Sequence, residues 1–208
     1  MKSFSRLFLY SVIVFAAACA PTKVEVPLLD ERGLDAVLAE RKSIERIDAA
    51  MSVVFEKKDS AMYGDAVLDI TRSGDLHLKV YTLGILGMDL SSSKGVVKSM
   101  PRLDKAKTTI LTQGLRDCLF WWDLQDYAIR EEGDYLVLQN ATRSVWLDRK
   151  SLLPGKQSID FGDGKQLTVL YDSPVRQSGI WYQSKMRIEL QRYAVTLTVK
   201  EISFQKNM

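Results

Sequence analysis

Apolar and polar residues alternate with a period of two along most of the chain, and this pattern constrains the fold more than any other feature of the sequence. In the segment 47–55, Met51, Val53 and Phe55 share one face, and Asp48 and Ser52 share the other. Such alternation is typical of a β-strand that is buried on one side only. With turn residues between the segments, the sequence predicts about ten antiparallel strands. They fall at 47–55, 66–70, 76–81, 88–91, 96–100, 135–139, 144–148, 157–161, 166–172, 182–190 and 194–204.

Helical periodicity occurs in only two stretches, at 30–42 and at about 110–124. Gly114 lies in the second stretch, which is therefore predicted either as one helix or as two shorter ones. Two such helices are too small to cover the apolar face of a large sheet. The sequence therefore predicts an α+β fold, a strongly curved, unclosed antiparallel half-barrel with helices covering its concave face. No linker or repeat divides the chain, so residues 28–208 are expected to form one domain.

A half-barrel of this kind either encloses an apolar hollow or is filled by its own side chains, and the pattern alone leaves both open. An open hollow would have an aliphatic and aromatic lining, which suits acyl chains better than a sugar or a nucleotide. The residues predicted to line it are Met51, Val53, Phe55, Leu68, Leu76, Leu78, Met186, Ile188 and Leu190.

The rare residue types argue against catalysis and metal binding. The chain has one histidine and two cysteines, whereas a zinc site needs three or four protein ligands. His77 alternates with Leu76 and Leu78, which indicates the polar face of a strand. A net charge of +3 is too small for a protein that binds nucleic acid by neutralising phosphates. We therefore expect a monomeric protein that is not an enzyme, with no catalytic residue, metal ligand or cofactor.

The N-terminus has the form of a secretory signal peptide over residues 1–18, with basic residues before an apolar run of about 12 residues. The run ends in Ala16-Ala-Ala-Cys19, which resembles a bacterial lipobox. Cys19 is thus predicted to be lipid-modified, for instance by palmitate, with residues 19–27 as a tether. The alternative is simple signal cleavage without lipidation. Cys118 falls in the second helical stretch, where a small buried side chain is expected.

Two segments resemble the LolA/LolB-like lipoprotein carrier superfamily. The first is LKVYTLGILGMDL at 78–90, which is similar to a strand, an exposed Leu-Gly loop and a strand of that family. The second combines VWLD at 145–148, LPG at 153–155, GDG at 162–164, LTVLY at 167–171 and MRIEL at 186–190. The similarity spans about 28–207, and its organisation is most like that of the outer-membrane receptors of the family, the LolB type.

The resemblance implies an unclosed barrel whose cavity receives the acyl chains of lipoproteins and helps to insert them into the outer membrane. Its partners would be a soluble LolA-like carrier, lipoprotein acyl chains or another lipid, and the membrane that holds the lipidated Cys19. A loop leucine that promotes delivery corresponds to Leu86, although Ile85 stands where the receptors have proline. Leu83, Ile85, Leu86 and Met88 form the predicted membrane or transfer loop. Ala20 after the cysteine favours a periplasm-facing location on the outer membrane.

Two other functions fit the same sequence. One is a structural or assembly lipoprotein of the envelope with a filled barrel. The other is a carrier that uses the cavity for another lipid or a glycolipid.

Overall fold

The computed structural model describes residues 33–58, 60–162 and 164–207, and these contain a single twelve-stranded antiparallel sheet. The strands run in the order β5-β4-β3-β2-β1-β12-β11-β10-β9-β8-β7-β6, and β5 and β6 at the two edges do not pair with each other. The barrel is therefore unclosed, as predicted. The segments predicted as a signal peptide at 1–18 and as a lipidated cysteine and tether at 19–27 lie outside the described residues.

Successive strands are joined mostly by short turns, so that the sheet is built from hairpins, with β1 and β12 paired at its centre. The strands are β1 Ile44–Lys57, β2 Ser60–Thr71, β3 Leu76–Thr82, β4 Ile85–Ser93, β5 Val96–Met100, β6 Ala128–Glu132, β7 Tyr135–Gln139, β8 Arg143–Asp148, β9 Pro154–Asp160, β10 Gln166–Gln177, β11 Ile180–Leu190 and β12 Tyr193–Lys206.

Eleven of these strands coincide with predicted ones, and the missed strand is β6 at the edge of the sheet. All five of its residues are exposed, so it has no buried face to impose an alternating pattern. Several predicted strands prove longer than their apolar core, because β1, β10 and β12 continue into ends that are only partly buried or exposed. The alternation thus locates the buried centre of a strand better than its ends.

The first helix, α1 at Leu34–Lys42, precedes β1 and buries Leu38 and Arg41. Arg41 donates a hydrogen bond to the carbonyl oxygen of Trp181 at the start of β11, and its guanidinium lies 5.6 Å from the centre of the Trp122 ring. These contacts fix α1 at the end of the barrel where β1 begins.

A second helical run crosses the concave face and comprises α2 at Lys105–Thr109, a π-helical segment at Ile110–Gly114, and α3 at Leu115–Leu119. Of the two predicted alternatives, the single helix forms, because the run continues through Gly114 as helix. A Cβ atom at Gly114 would lie only 2.8 Å from Leu167 Cδ1 and 3.3 Å from Ile188 Cγ2. Gly114 is therefore the point at which the helix packs most tightly on the sheet.

The end of this helical run is attached to the sheet by one buried arginine on β8. The Arg143 guanidinium donates hydrogen bonds to the carbonyl oxygens of Asp117 at 2.8 Å, Phe120 at 3.3 Å and Asp123 at 3.2 Å. It also reaches Gln157 Oε1 at 3.2 Å and lies 3.6 Å from the Asp117 carboxylate. Because helix ends leave carbonyl groups without intrahelical partners, this one side chain satisfies several acceptors at once.

Cys118 is buried beneath this helix end, as its position in the apolar stripe predicts. Its backbone carbonyl lies 3.1 Å from the Tyr171 hydroxyl, which donates to it from β10. Burial raises the pKa of the Cys118 thiol to about 12, so the thiol stays protonated and unreactive near neutral pH.

Replacing Arg143 with methionine should destabilise the fold by about 3 kcal/mol, because the Asp117 carboxylate and the carbonyl groups at the helix end would lose their buried partner. Urea unfolding followed by circular dichroism measures this change. The matched control is Arg130→Met on the exposed strand β6, which should change stability by less than about 0.5 kcal/mol. Equal stability of the two variants would show that Arg143 does not anchor the helix.

In a Cys19→Ser protein, the remaining Cys118 thiol should resist a colourimetric disulfide reagent at pH 8 and react promptly once the chain is unfolded in urea. Measuring thiol release under both conditions tests the burial of this helix end. Rapid reaction of the folded protein would mean that the helix opens readily at Cys118.

Candidate functional site

An apolar cavity of about 350 Å³ lies between the concave face of the sheet and the first half of the second helical run. This volume is within the range of pockets that bind small ligands. The lining consists of Val53, Phe55, Lys57, Ser60, Met62, Leu78, Val80, Thr82, Gly87, Met88, Pro101, Arg102, Leu103, Lys107, Ile110, Leu111, Leu115, Ile188, Val195 and Leu197.

Four of the nine side chains predicted to line a hollow do line this cavity. They are Val53 and Phe55 on β1, Leu78 on β3 and Ile188 on β11. Met88, which was predicted as part of the transfer loop, also lines the cavity. The alternation on β1, β3 and β11 thus identifies the correct face of each strand.

The other five predicted residues do not line the cavity. Met51, Leu68, Leu76 and Leu190 belong to the closed core, and Met186 lines a separate cavity of only about 30 Å³ next to Trp121 and Trp122. Alternation gives the face of a residue but not its position along the barrel. It therefore cannot separate residues beneath the tightly packed part of the helix from residues beside the cavity.

Sequence reasoning also missed part of the lining. Ile110, Leu111 and Leu115 contribute the helical wall, and Val195 and Leu197 contribute the wall from β12. The alternation of Val195 and Leu197 with polar residues was visible, but only the three-dimensional pairing of β12 with β1 brings them next to Val53 and Phe55.

The cavity opens at the end of the barrel where three hairpins turn. Three connections lie at this end: β1–β2, β3–β4 and β11–β12. Lys57 at the end of β1 pairs with both Ser60 and Tyr193, and the end of β3 lies beside the first half of β2, because Tyr81 pairs with Asp65. Lys57, Ser60 and Thr82 line the cavity from the ends of their strands, and Arg102 lines it from the segment that leads into α2. We refer to this end as the mouth.

The tip of the β3–β4 hairpin projects an apolar side chain at the mouth. Leu83 is 97% exposed, and the following Ile85 and Leu86 are 73% and 42% exposed. The turn has only two residues, with φ values of 51° at Leu83 and 78° at Gly84. Positive φ is unusual for a bulky residue. Leu83 therefore combines backbone strain with almost complete exposure of its side chain to solvent.

The predicted loop at 83–88 is shorter in the structure than expected. Strand β4 begins at Ile85, so Leu86 lies on a strand opposite Tyr81 and not at the tip. Gly87 forms a bulge, because Val80 pairs with Met88 while Tyr81 pairs with Leu86. The bulge lets Leu86 stay exposed while Met88 reaches the cavity.

His77 is on an exposed strand face, as predicted, with its Nε2 atom 2.8 Å from Asp89 Oδ1. Among residues 33–58, 60–162 and 164–207, no three potential metal ligands come together. In the same part of the chain, no helix is long and apolar enough to span a bilayer.

Solved structures with the same architecture exist. A LolA superfamily protein from Nitrosomonas europaea superposes with a TM-score of 0.54 at 9% identity, over 86% of this chain and 96% of that one. The fold is that of the LolA superfamily protein. A DUF1329 family protein from Desulfovibrio piger superposes with a TM-score of 0.57 at 11% identity, over 82% of this chain and 90% of that one. No protein-family model and no curated protein matches the sequence. This chain therefore shares the half-barrel architecture with these two proteins, although almost every aligned residue differs.

Gly87→Leu should abolish binding of an uncharged polarity-sensitive dye, because the new side chain would project from the cavity wall into the apolar space. A Cβ atom at Gly87 meets only ordinary contacts, at 3.6 Å from Thr82 Oγ1 and 3.7 Å from the Val80 carbonyl oxygen. The fold should therefore tolerate the change, and fluorescence titration measures the loss of binding.

The matched control is Gly33→Leu, where an added Cβ meets nothing within 4 Å and lies far from the cavity lining. This control should bind dye like the unaltered protein. Unchanged dye binding in Gly87→Leu would mean that the dye, and by extension an apolar ligand, binds elsewhere.

Proposed function

We propose that this protein is an acyl-chain carrier of the bacterial envelope that receives the acyl chains of lipoproteins in its half-barrel and helps insert them into the outer membrane. The observation that carries the proposal is the apolar cavity of about 350 Å³ that opens at one end of the barrel. A filled barrel would leave no volume for a ligand, so the cavity favours a carrier over a scaffold.

The energetics of such transfer depend on burial alone and need no covalent chemistry. Each methylene that leaves water for an apolar environment contributes about 0.8 kcal/mol. A chain therefore moves from donor to cavity to bilayer only if each environment binds it better than the one before. The side chains that would contact an acyl chain, such as Val53, Leu78 and Ile188, are aliphatic and offer no group for catalysis.

The exposed hairpin tip supports a role at a membrane surface. Leu83 and Ile85 project at the same end as the mouth, so an apolar tip that enters a bilayer would bring the cavity opening against it. We assign the leading contact to Leu83, with Ile85 and Leu86 behind it. The family resemblance, by contrast, implies Leu86 for this contact.

The N-terminal sequence and the family resemblance support a lipid anchor, a location at the outer membrane and a soluble donor. Lipidation of Cys19 would anchor the protein, since two or more acyl chains hold a protein stably on a bilayer. Ala20 favours the outer membrane over the inner one. The donor would be a soluble LolA-like carrier that passes its cargo to this monomeric protein.

A second candidate function is a carrier for another lipid, which would use the same cavity. The basic side chains Lys57, Arg102 and Lys107 at the mouth favour it, because an acylated cysteine itself carries no anionic group. Following lipoprotein sorting after depletion of the protein separates the two candidates. Mislocalised lipoproteins support the first, and unchanged sorting with altered lipid composition supports the second.

Leu83→Glu should slow transfer of a fluorescent acylated peptide from the protein to vesicles at least tenfold, because a charge at the tip opposes its entry into the bilayer. Leu86→Glu should have a smaller effect, since this side chain is less exposed and lies behind the tip. Stopped-flow fluorescence measures both rates.

Leu170→Glu is the matched control, because Leu170 is 43% exposed on β10 and does not line the cavity. Its transfer rate should equal that of the unaltered protein. If Leu83→Glu transfers as fast as this control, the tip has no role in delivery.

A further inference from the structure

Basic side chains gather at the mouth around one aromatic ring. Lys57 Nζ lies 5.8 Å from the centre of the Tyr193 ring, Lys107 Nζ lies 5.7 Å from it, and the Arg192 guanidinium carbon lies 5.3 Å from it. Arg102 lines the same opening from the segment before α2. Four positive charges thus come from three separate parts of the chain: Lys57 ends β1, Arg192 lies in the β11–β12 turn, and Arg102 and Lys107 lie before and within α2.

Few negative charges balance this group. Among the described residues that line the cavity, three are basic and none is a carboxylate. Asp104 is the neighbouring acid, and its carboxylate accepts hydrogen bonds from the Lys107 backbone N–H at 2.9 Å and from the Tyr193 hydroxyl at 2.8 Å. The Lys107 ammonium is 4.0 Å from it, at the limit of an ion pair. The hydrogen bond from the Lys107 backbone is the main reason that the pKa of Asp104 is lowered.

Several basic side chains elsewhere on the sheet are paired directly with carboxylates. Arg187 contacts both Glu56 and Glu189, and Lys200 Nζ lies 2.6 Å from Asp65 Oδ1. At the mouth, by contrast, three basic side chains line the cavity with no carboxylate among the described lining residues. Like charges brought together with few carboxylates beside them favour binding of an anion between them.

The position of Lys107 links this charge to the cavity. Its ammonium lies 5.5 Å from the centre of the Phe55 ring, and Phe55 and Lys107 both line the cavity. The lining deeper than this point is aliphatic, with Leu78, Leu111 and Leu115 among its members. The site thus has an apolar interior and a cationic opening, which complements a molecule with an apolar tail and an anionic head.

We propose that the mouth selects an anionic amphiphile, a lipid whose acyl chain enters the cavity while its carboxylate or phosphate lies among Lys57, Arg102 and Lys107. This inference rests on the second candidate function, a carrier for another lipid, since it requires the cavity to hold the acyl chain of a lipid that has an anionic head. It adds the chemical class of the cargo: the shared feature is an acyl chain with an anionic head, whether it comes from a free fatty acid or from a phospholipid.

The test measures displacement of the uncharged dye from the protein without its signal peptide by four ligands used as monomers. Palmitic acid is compared with palmityl alcohol, and palmitoyl lysophosphatidylglycerol with palmitoyl lysophosphatidylcholine. Within each pair the chain is the same and only the head differs. The anionic member should bind about tenfold more tightly, and added salt should reduce this difference.

The double variant Arg102→Gln, Lys107→Gln should remove the preference, measured as the ratio of the two affinities within each pair, so that any general change in cavity affinity cancels. The control is Arg176→Gln, Lys185→Gln, which lowers the net charge equally at exposed positions outside the cavity lining. This control should keep the preference. A preference in the fatty acid pair alone would identify a carboxylate cargo, and one in the lysophospholipid pair alone a phosphate cargo.

Equal binding of charged and uncharged ligands would overturn the anionic selection and leave the acyl cavity intact. A preference that persists in the double variant would overturn its assignment to Arg102 and Lys107. Failure of all four ligands to displace the dye would overturn the proposed function itself, so the two failures are distinguishable.

Discussion

The inward face of the sheet is larger than the helical cover that the chain provides, and the rest of the structure depends on this mismatch. Twelve strands curve around a single helical run that comprises Lys105–Thr109, Ile110–Gly114 and Leu115–Leu119. Where that run packs tightly, at Gly114, the interior is closed. Toward the mouth, the run and the sheet leave an apolar cavity between them.

The two ends of the helical run are held differently. Beyond Gly114, Arg143 ties the run to β8 through the carbonyl oxygens at its end, and Cys118 and Leu119 are buried. Before the π-helical segment, α2 has no buried residue. Packing in the closed core therefore fixes the C-terminal end of the helical run. The N-terminal end, α2, has the least packing to lose when a ligand enters the cavity.

The fold could be predicted from the sequence because antiparallel strands with one buried face show a regular alternation of apolar and polar residues. The edge strand β6 could not, since none of its residues is buried. For the cavity, alternation identified Val53, Leu78 and Ile188 by face, yet it also selected Met51 and Leu68, which lie in the closed core. The basic mouth could not be predicted, because Lys57 and Lys107 are 50 positions apart in sequence (107 − 57) and meet only at the Tyr193 ring. Pairings between distant segments, and not local patterns, create the site.

Photo-crosslinking with a fatty acid that carries a diazirine at the end of its chain tests the central claim most directly, because it reports where the tail lies. If the apolar space between sheet and helix holds an acyl chain, mass spectrometry of the digested protein will place the adducts on deep lining residues such as Leu78, Ile110 and Leu115. Adducts confined to the exposed hairpin tip or to the outer face of the sheet, with none in the lining, would contradict it.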